Sequence, residues 1–88
     1  MGKRDKTLWR VLSGRADANL SFEDLRGLLL SLEFKERIRG DHHIFNHEGM
    51  LEILNLQPRN GDAKPYQVKQ VRSLILKYKL GMPYDDTL

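Results

Sequence analysis

Apolar residues recur along this chain first at helical and later at alternating spacing. Leu8, Val11 and Leu12, with Trp9 beside them, predict a short helix over residues 5–13 that stops at Gly14. A polar connection follows, and Leu20 then leads into Ser21-Phe22-Glu23-Asp24, a serine with an acid three positions on, as in a capping box. Leu25, Leu28, Leu29 and Leu32 form the stripe of a second helix with one buried side, and Leu20 is expected to staple against Leu25 across the cap.

Beyond Glu33 the period changes. Phe34, Glu36 and Ile38 interleave with Lys35, Arg37 and Arg39, which predicts a half-exposed strand ending at the turn dipeptide Gly40-Asp41. A second strand is expected over His42 to His47, with a turn at Glu48-Gly49. A third is expected over Met50 to Leu56, before the turn residues of QPRNGD. Pro65 suits a first helical turn, and Tyr66, Val68, Val71, Leu74, Ile75 and Tyr78 supply the buried stripe of a last helix that Gly81 stops. Helix, helix, three strands and helix imply an α+β fold, a three-stranded antiparallel meander with helices on one face. The tail from 81 to 88 is expected to be loose.

Composition narrows the class. With 88 residues the chain has room for one core, burying a little over ~60% of the surface its unfolded form exposes. The lack of cysteine removes disulfides, thiolate chemistry and cysteine-ligated zinc together. No apolar run approaches the ~20 residues that span a bilayer, and MGKRDKTLWRVL has no long apolar region or small-residue cleavage site, so a cytoplasmic location is expected. The net charge of +3 permits a polyanionic partner. Its distribution is uneven: Arg59, Lys64, Lys69, Arg72, Lys77 and Lys79 face only Asp62 in their segment.

The stretch GDHHIF, residues 40–45, holds two of the three histidines side by side, and His47 follows. A metal needs several converging ligands. Alternation along a strand puts His43 and His47 on one face and His42 on the other, a weak zinc set without cysteine, so neither metal nor cofactor is expected. Polar residues on a half-exposed strand are the plain alternative. The catalytic reading rests on setting: imidazole exchanges protons near neutral pH, Gly40 allows a tight turn, and Arg37, Arg39 and the basic C-terminal segment are placed to hold phosphates. RNA cleavage needs no cofactor in principle, because the ribose 2′-OH is itself the nucleophile. Phe45 and Tyr66 are expected to serve the core rather than to stack on bases.

GDHHIF, a following hairpin, a proline-bearing loop and then AKPYQVKQVRSLILKY together resemble the HicA toxins of toxin-antitoxin systems. The similarity covers roughly residues 22–80, and the order of elements is more specific than the short histidine motif. The resemblance implies a fold like the double-stranded RNA-binding domain, two helices on a three-stranded sheet. It also implies an mRNA interferase activity, a metal-independent endoribonuclease that arrests translation. It places the catalytic role on His42, with Gly40 as the family glycine, Asp41 and His43 in support, and Phe45 as the family aromatic. The partners it implies are mRNA and a HicB-like antitoxin that covers the active face. Arg37, Arg39, Lys64, Lys69 and Arg72 are the candidate RNA contacts.

Two departures from the family pattern stand out. Asp41 occupies a position where serine is common, and its charge is expected to favour the protonated imidazole while repelling phosphate. Residues 1–19 form an N-terminal helical extension to the HicA-like domain of 20–80, expected to cover apolar surface or to contact a partner. The competing reading from another class is a noncatalytic RNA-binding module, or a degenerate toxin that serves mainly as a partner-binding subunit.

Overall fold

A computed structural model describes residues 2–81 of the chain. The elements in order are α1 (Lys3–Ser13), α2 (Phe22–Ser31), β1 (Lys35–Arg39), β2 (His42–Asn46), β3 (Ile53–Leu56) and α3 (Pro65–Tyr78). The strands form one antiparallel sheet in the order β1-β2-β3, so the architecture is α+β with three helices. The expected tail, Gly81 apart, lies outside the described residues.

Each helix is bounded by local chemistry. Gly14 ends α1 with φ of 74°, the left-handed conformation that costs glycine least. At the start of α2 the Asp24 amide donates to Ser21 Oγ at 3.0 Å, the forward half of the expected box. Pro65 opens α3, where Lys64 caps the helix and its amide donates to Gln67 Oε1 at 3.1 Å. In the α2–β1 connection Glu33 takes φ of 74°, and the Phe34 amide returns to the Leu29 carbonyl at 3.1 Å.

The core joins both helix stripes to one face of the sheet. Leu25, Leu28 and Leu29 of α2 meet Val68, Val71 and Ile75 of α3 and Phe45, Leu54 and Leu56 of the strands, all buried. Burying each such side chain contributes about 1.5–3 kcal/mol, against about 0–1 kcal/mol for an exposed ion pair. The apolar layer therefore decides the fold. Helix α1 packs against α2 and α3 and inserts Val11 into the same cluster. The extension thus covers core surface, although Trp9 remains exposed.

Two expectations need correction. The third strand is four residues rather than seven, because the chain turns first: the Met50 amide donates to the His47 carbonyl, and β2 meets β3 only from the pair Asn46–Ile53. Tyr66 is exposed rather than core, and the adjacent Gln67 is fully buried in the helix face. Gln67 tolerates that position because both ends of its amide are used, by the Lys64 amide and by the Gln57 carbonyl at 3.2 Å. His47 is half-buried, edge-on to Phe34, with its Nδ1 accepting from the Gly49 amide at 3.0 Å.

Glu33 is an exposed non-glycine residue in a left-handed conformation. Glu33→Gly is expected to remove ~1–2 kcal/mol of backbone strain while adding ~0.5–1 kcal/mol of unfolded-state entropy. The net gain should raise Tm by a few degrees in thermal unfolding.

Candidate RNA-binding face and its histidine

Strand alternation gives the two adjacent histidines opposite surroundings. Phe45 of β2 faces the helices and is fully buried, so His43 shares its side, while His42, Ile44 and Asn46 project from the open side. The register puts Arg39 opposite His42, Arg37 opposite Ile44 and Lys35 opposite Asn46, and β3 adds Asn55 and Ile53 to the same face. The open face therefore carries a row of three cations along β1 beside His42. A shallow groove runs along it, lined by Lys35, Glu36, Arg37, Ile44, Asn46 and Ile53.

Gly40 and Asp41 make the two-residue turn that delivers His42. Gly40 has φ of 61° at the first central position, the requirement of a II′-type hairpin turn. Nothing lies within 4 Å of where its Cβ would be, so backbone conformation rather than crowding calls for glycine here.

The His42 side chain is half exposed, and its Nδ1 lies 3.0 Å from Asn55 Oδ1. With the Asn55 amide in this orientation its carbonyl oxygen accepts from Nδ1–H, and in the neutral ring the lone pair is then on Nε2. Asp41 Oδ1 stands 3.8 Å from Nε2, too far for a hydrogen bond and an ion-pair contact only when the ring is protonated. The other Asp41 oxygen accepts from Gln57 Nε2 at 2.6 Å. That hydrogen bond is the main cause holding the Asp41 carboxyl below its usual range, and the nearby His42 and Lys64 add smaller attractions. An imidazole with a free ring nitrogen next to a row of cations has the parts of a general base or acid beside a phosphate site.

The supporting role expected for His43 falls on the other side of the sheet. Its ring packs on Phe22 at a centroid distance of 4.7 Å, and its Nδ1–H donates to Glu36 Oε2 at 2.7 Å. Arg26 of α2 holds the same carboxylate through Nε, at 2.7 and 2.9 Å to its two oxygens. Arg26 comes first among the causes that lower the Glu36 carboxyl, and His43 adds to it, while burial opposes both. This cluster ties α2 to β1 and β2 and leaves His43 no path to a substrate on the open face.

Arg72 needs a similar correction. Its guanidinium spans Asp17, with 3.0 and 3.1 Å contacts, and donates to the Val11 carbonyl at 3.0 Å. It fastens α1 and the α1–α2 connection to α3, so its charge is neutralised away from the sheet face. Lys69 is exposed on the outer surface of α3, in the helix layer. Lys64 alone of the three C-terminal candidates borders the His42 face, through its attraction to Asp41. Phe45 is fully buried and offers no stacking surface.

Several contributors escaped sequence reasoning. Asn55 comes to His42 from 13 residues away in the chain and Gln57 comes to Asp41 from 16, through the β2–β3 register. Arg26 and Glu36 carried a usable signal. An acid at the apolar phase of a strand, between Phe34 and Ile38, demands a cation from the element packed over it.

Glu36 is depressed in the folded state, so its stabilisation is complete above the unfolded carboxyl range of about 4.3 and is lost as pH falls through the lower folded value. Glu36→Gln should cost about 2–3 kcal/mol at pH 7 in urea unfolding. The gap to wild type should shrink as pH falls through that lowered folded value, where the wild-type carboxyl takes up a proton too.

No family model, curated protein or solved structure matches the chain, so its open sheet face is read from its own geometry.

Proposed function

We propose that the protein is an endoribonuclease of the HicA toxin type, cleaving mRNA at His42 without a metal ion, on a fold of the double-stranded RNA-binding kind. The observation that carries this reading is the half-exposed His42 ring on the open sheet face, with no hydrogen bond to Nε2 among the described residues and Arg37 and Arg39 on the neighbouring strand. Arg37, Arg39 and, at the border, Lys64 attract the phosphodiester. His42 Nε2 takes the proton from the ribose 2′-OH, whose oxygen attacks the adjacent phosphorus. The bond to the 5′-oxygen breaks, and that oxygen receives a proton from the imidazolium. The products are a 2′,3′-cyclic phosphate and a 5′-hydroxyl end.

The family resemblance supports the rest of the proposal: a HicB-like antitoxin that masks this face, in a cytoplasmic setting where mRNA is the target. Ile44 and Ile53 would give such a partner apolar contact among the cations. A noncatalytic RNA-binding module is the second reading. One observation favours it, the Asp41 carboxylate beside His42 Nε2, which repels phosphate from the reacting position.

His42→Ala separates the two. Induced in a bacterial host, the wild type should arrest growth and degrade mRNA. In vitro the variant should cleave about 10²–10⁴-fold more slowly while keeping its RNA affinity. Equal growth arrest by both would remove His42 from the chemistry. Arg37→Gln with Arg39→Gln should weaken RNA binding and lower the slope of log K against log salt by about 1.4, from ~0.7 per phosphate contact on a single strand. An unchanged slope would place the RNA elsewhere.

A further inference from the structure

A chain of amides links the start of α3 to the reactive ring. Gln67, fully buried, accepts from the Lys64 amide and donates to the Gln57 carbonyl, which fixes the backbone of the β3–α3 loop at Gln57. The Gln57 side chain then donates to Asp41 Oδ2 at 2.6 Å, and Asp41 Oδ1 stays 3.8 Å from His42 Nε2. On the other side of the ring, Asn55 Oδ1 accepts a hydrogen bond from Nδ1–H.

Released from Gln57, the Asp41 carboxylate sits one short rotation from Nε2. A carboxylate accepting from Nε2–H is a stronger partner than the neutral Asn55 amide, because charge-assisted hydrogen bonds are roughly twice as strong. The proton would then move to Nε2, and Asn55 would turn its NH₂ toward Nδ1. The nitrogen facing solvent would lose its lone pair.

We propose that Gln57 is a positioning residue for His42: by pinning Asp41 it keeps the ring proton on Nδ1 and the Nε2 lone pair open to substrate. The inference rests on the ribonuclease reading for its purpose, but the ring state it describes exists with or without RNA. The charged groups facing His42 are Asp41 from the turn, Arg39 and Arg37 from β1, and Lys64 from the start of α3, while β3 contributes the neutral Asn55. The Gln57 hydrogen bond first, then the backbone at Asp41 and the attraction of His42 and Lys64, hold that carboxyl below its usual range, so the pin acts on a charge present near neutral pH.

The test is ¹⁵N NMR of the imidazole nitrogens in the full chain at a pH where the ring is neutral. Wild type should display the Nδ1–H form of His42. Gln57→Met preserves length and the backbone carbonyl used by Gln67, and should move the ratio of the two forms about 10-fold toward Nε2–H, a hydrogen bond's worth of preference. Gln57→Glu, which has no N–H to donate and repels Asp41, should act in the same direction and guards against a folding defect in the first variant. Adding Asp41→Ala to Gln57→Met should restore the Nδ1–H form. A wild type already in the Nε2–H form, no change in either single variant, or no reversal in the double variant would each overturn the proposal. In RNA cleavage Gln57→Met should lower kcat several-fold with KM unchanged. The expected ring shifts in a protein that never cleaves RNA would uphold the pin and defeat the ribonuclease reading alone.

Discussion

The burial of one side of the small sheet beneath α2 and α3 is the constraint from which the rest follows. Phe45, Leu54 and Leu56 must enter the apolar layer with the two helix stripes, and a strand that sends every second residue inward sends the others out. A register slip of one residue would exchange the two histidines and bury a cationic row, so the hydrophobic pattern also fixes the chemistry of the open face. His42 is exposed because Phe45 is not.

The two adjacent histidines consequently serve separate ends. His43 completes a polar cluster under α2, where Arg26, Glu36 and the imidazole satisfy one another beside Phe22. A carboxylate at that depth would be costly alone, and the guanidinium and imidazole offset its desolvation. Among the described residues His42 has its polar side-chain contacts with Asn55 and Asp41, and its Nε2 takes part in no hydrogen bond. The same alternation that protects one ring presents the other.

Cations divide in a comparable way. Arg72 and Lys77 have their partners in Asp17 and Glu52 and join elements distant in sequence. Through that contact the Lys77 ammonium, with the Tyr78 hydroxyl, draws the Glu52 carboxyl down to about 2. Arg37 and Arg39 lie in exposed positions along β1, an edge strand. Positive residues that looked alike in sequence differ in what the fold sets against them.

The sequence by itself determined the element order, the Ser21 and Pro65 helix starts, the Gly14 and Gly40 turns, the two helix stripes and the opposite facing of His42 and His43. These are local matters of period, cap and turn residue. Only the tertiary structure decided that Arg72 is a clamp, that Gln67 replaces Tyr66 in the buried face, that Asn55 bonds the His42 ring and that Gln57 holds Asp41 beside it. Those outcomes depend on which side chains meet across the β2–β3 register and the helix layer, and period alone does not carry the identity of a partner from another element.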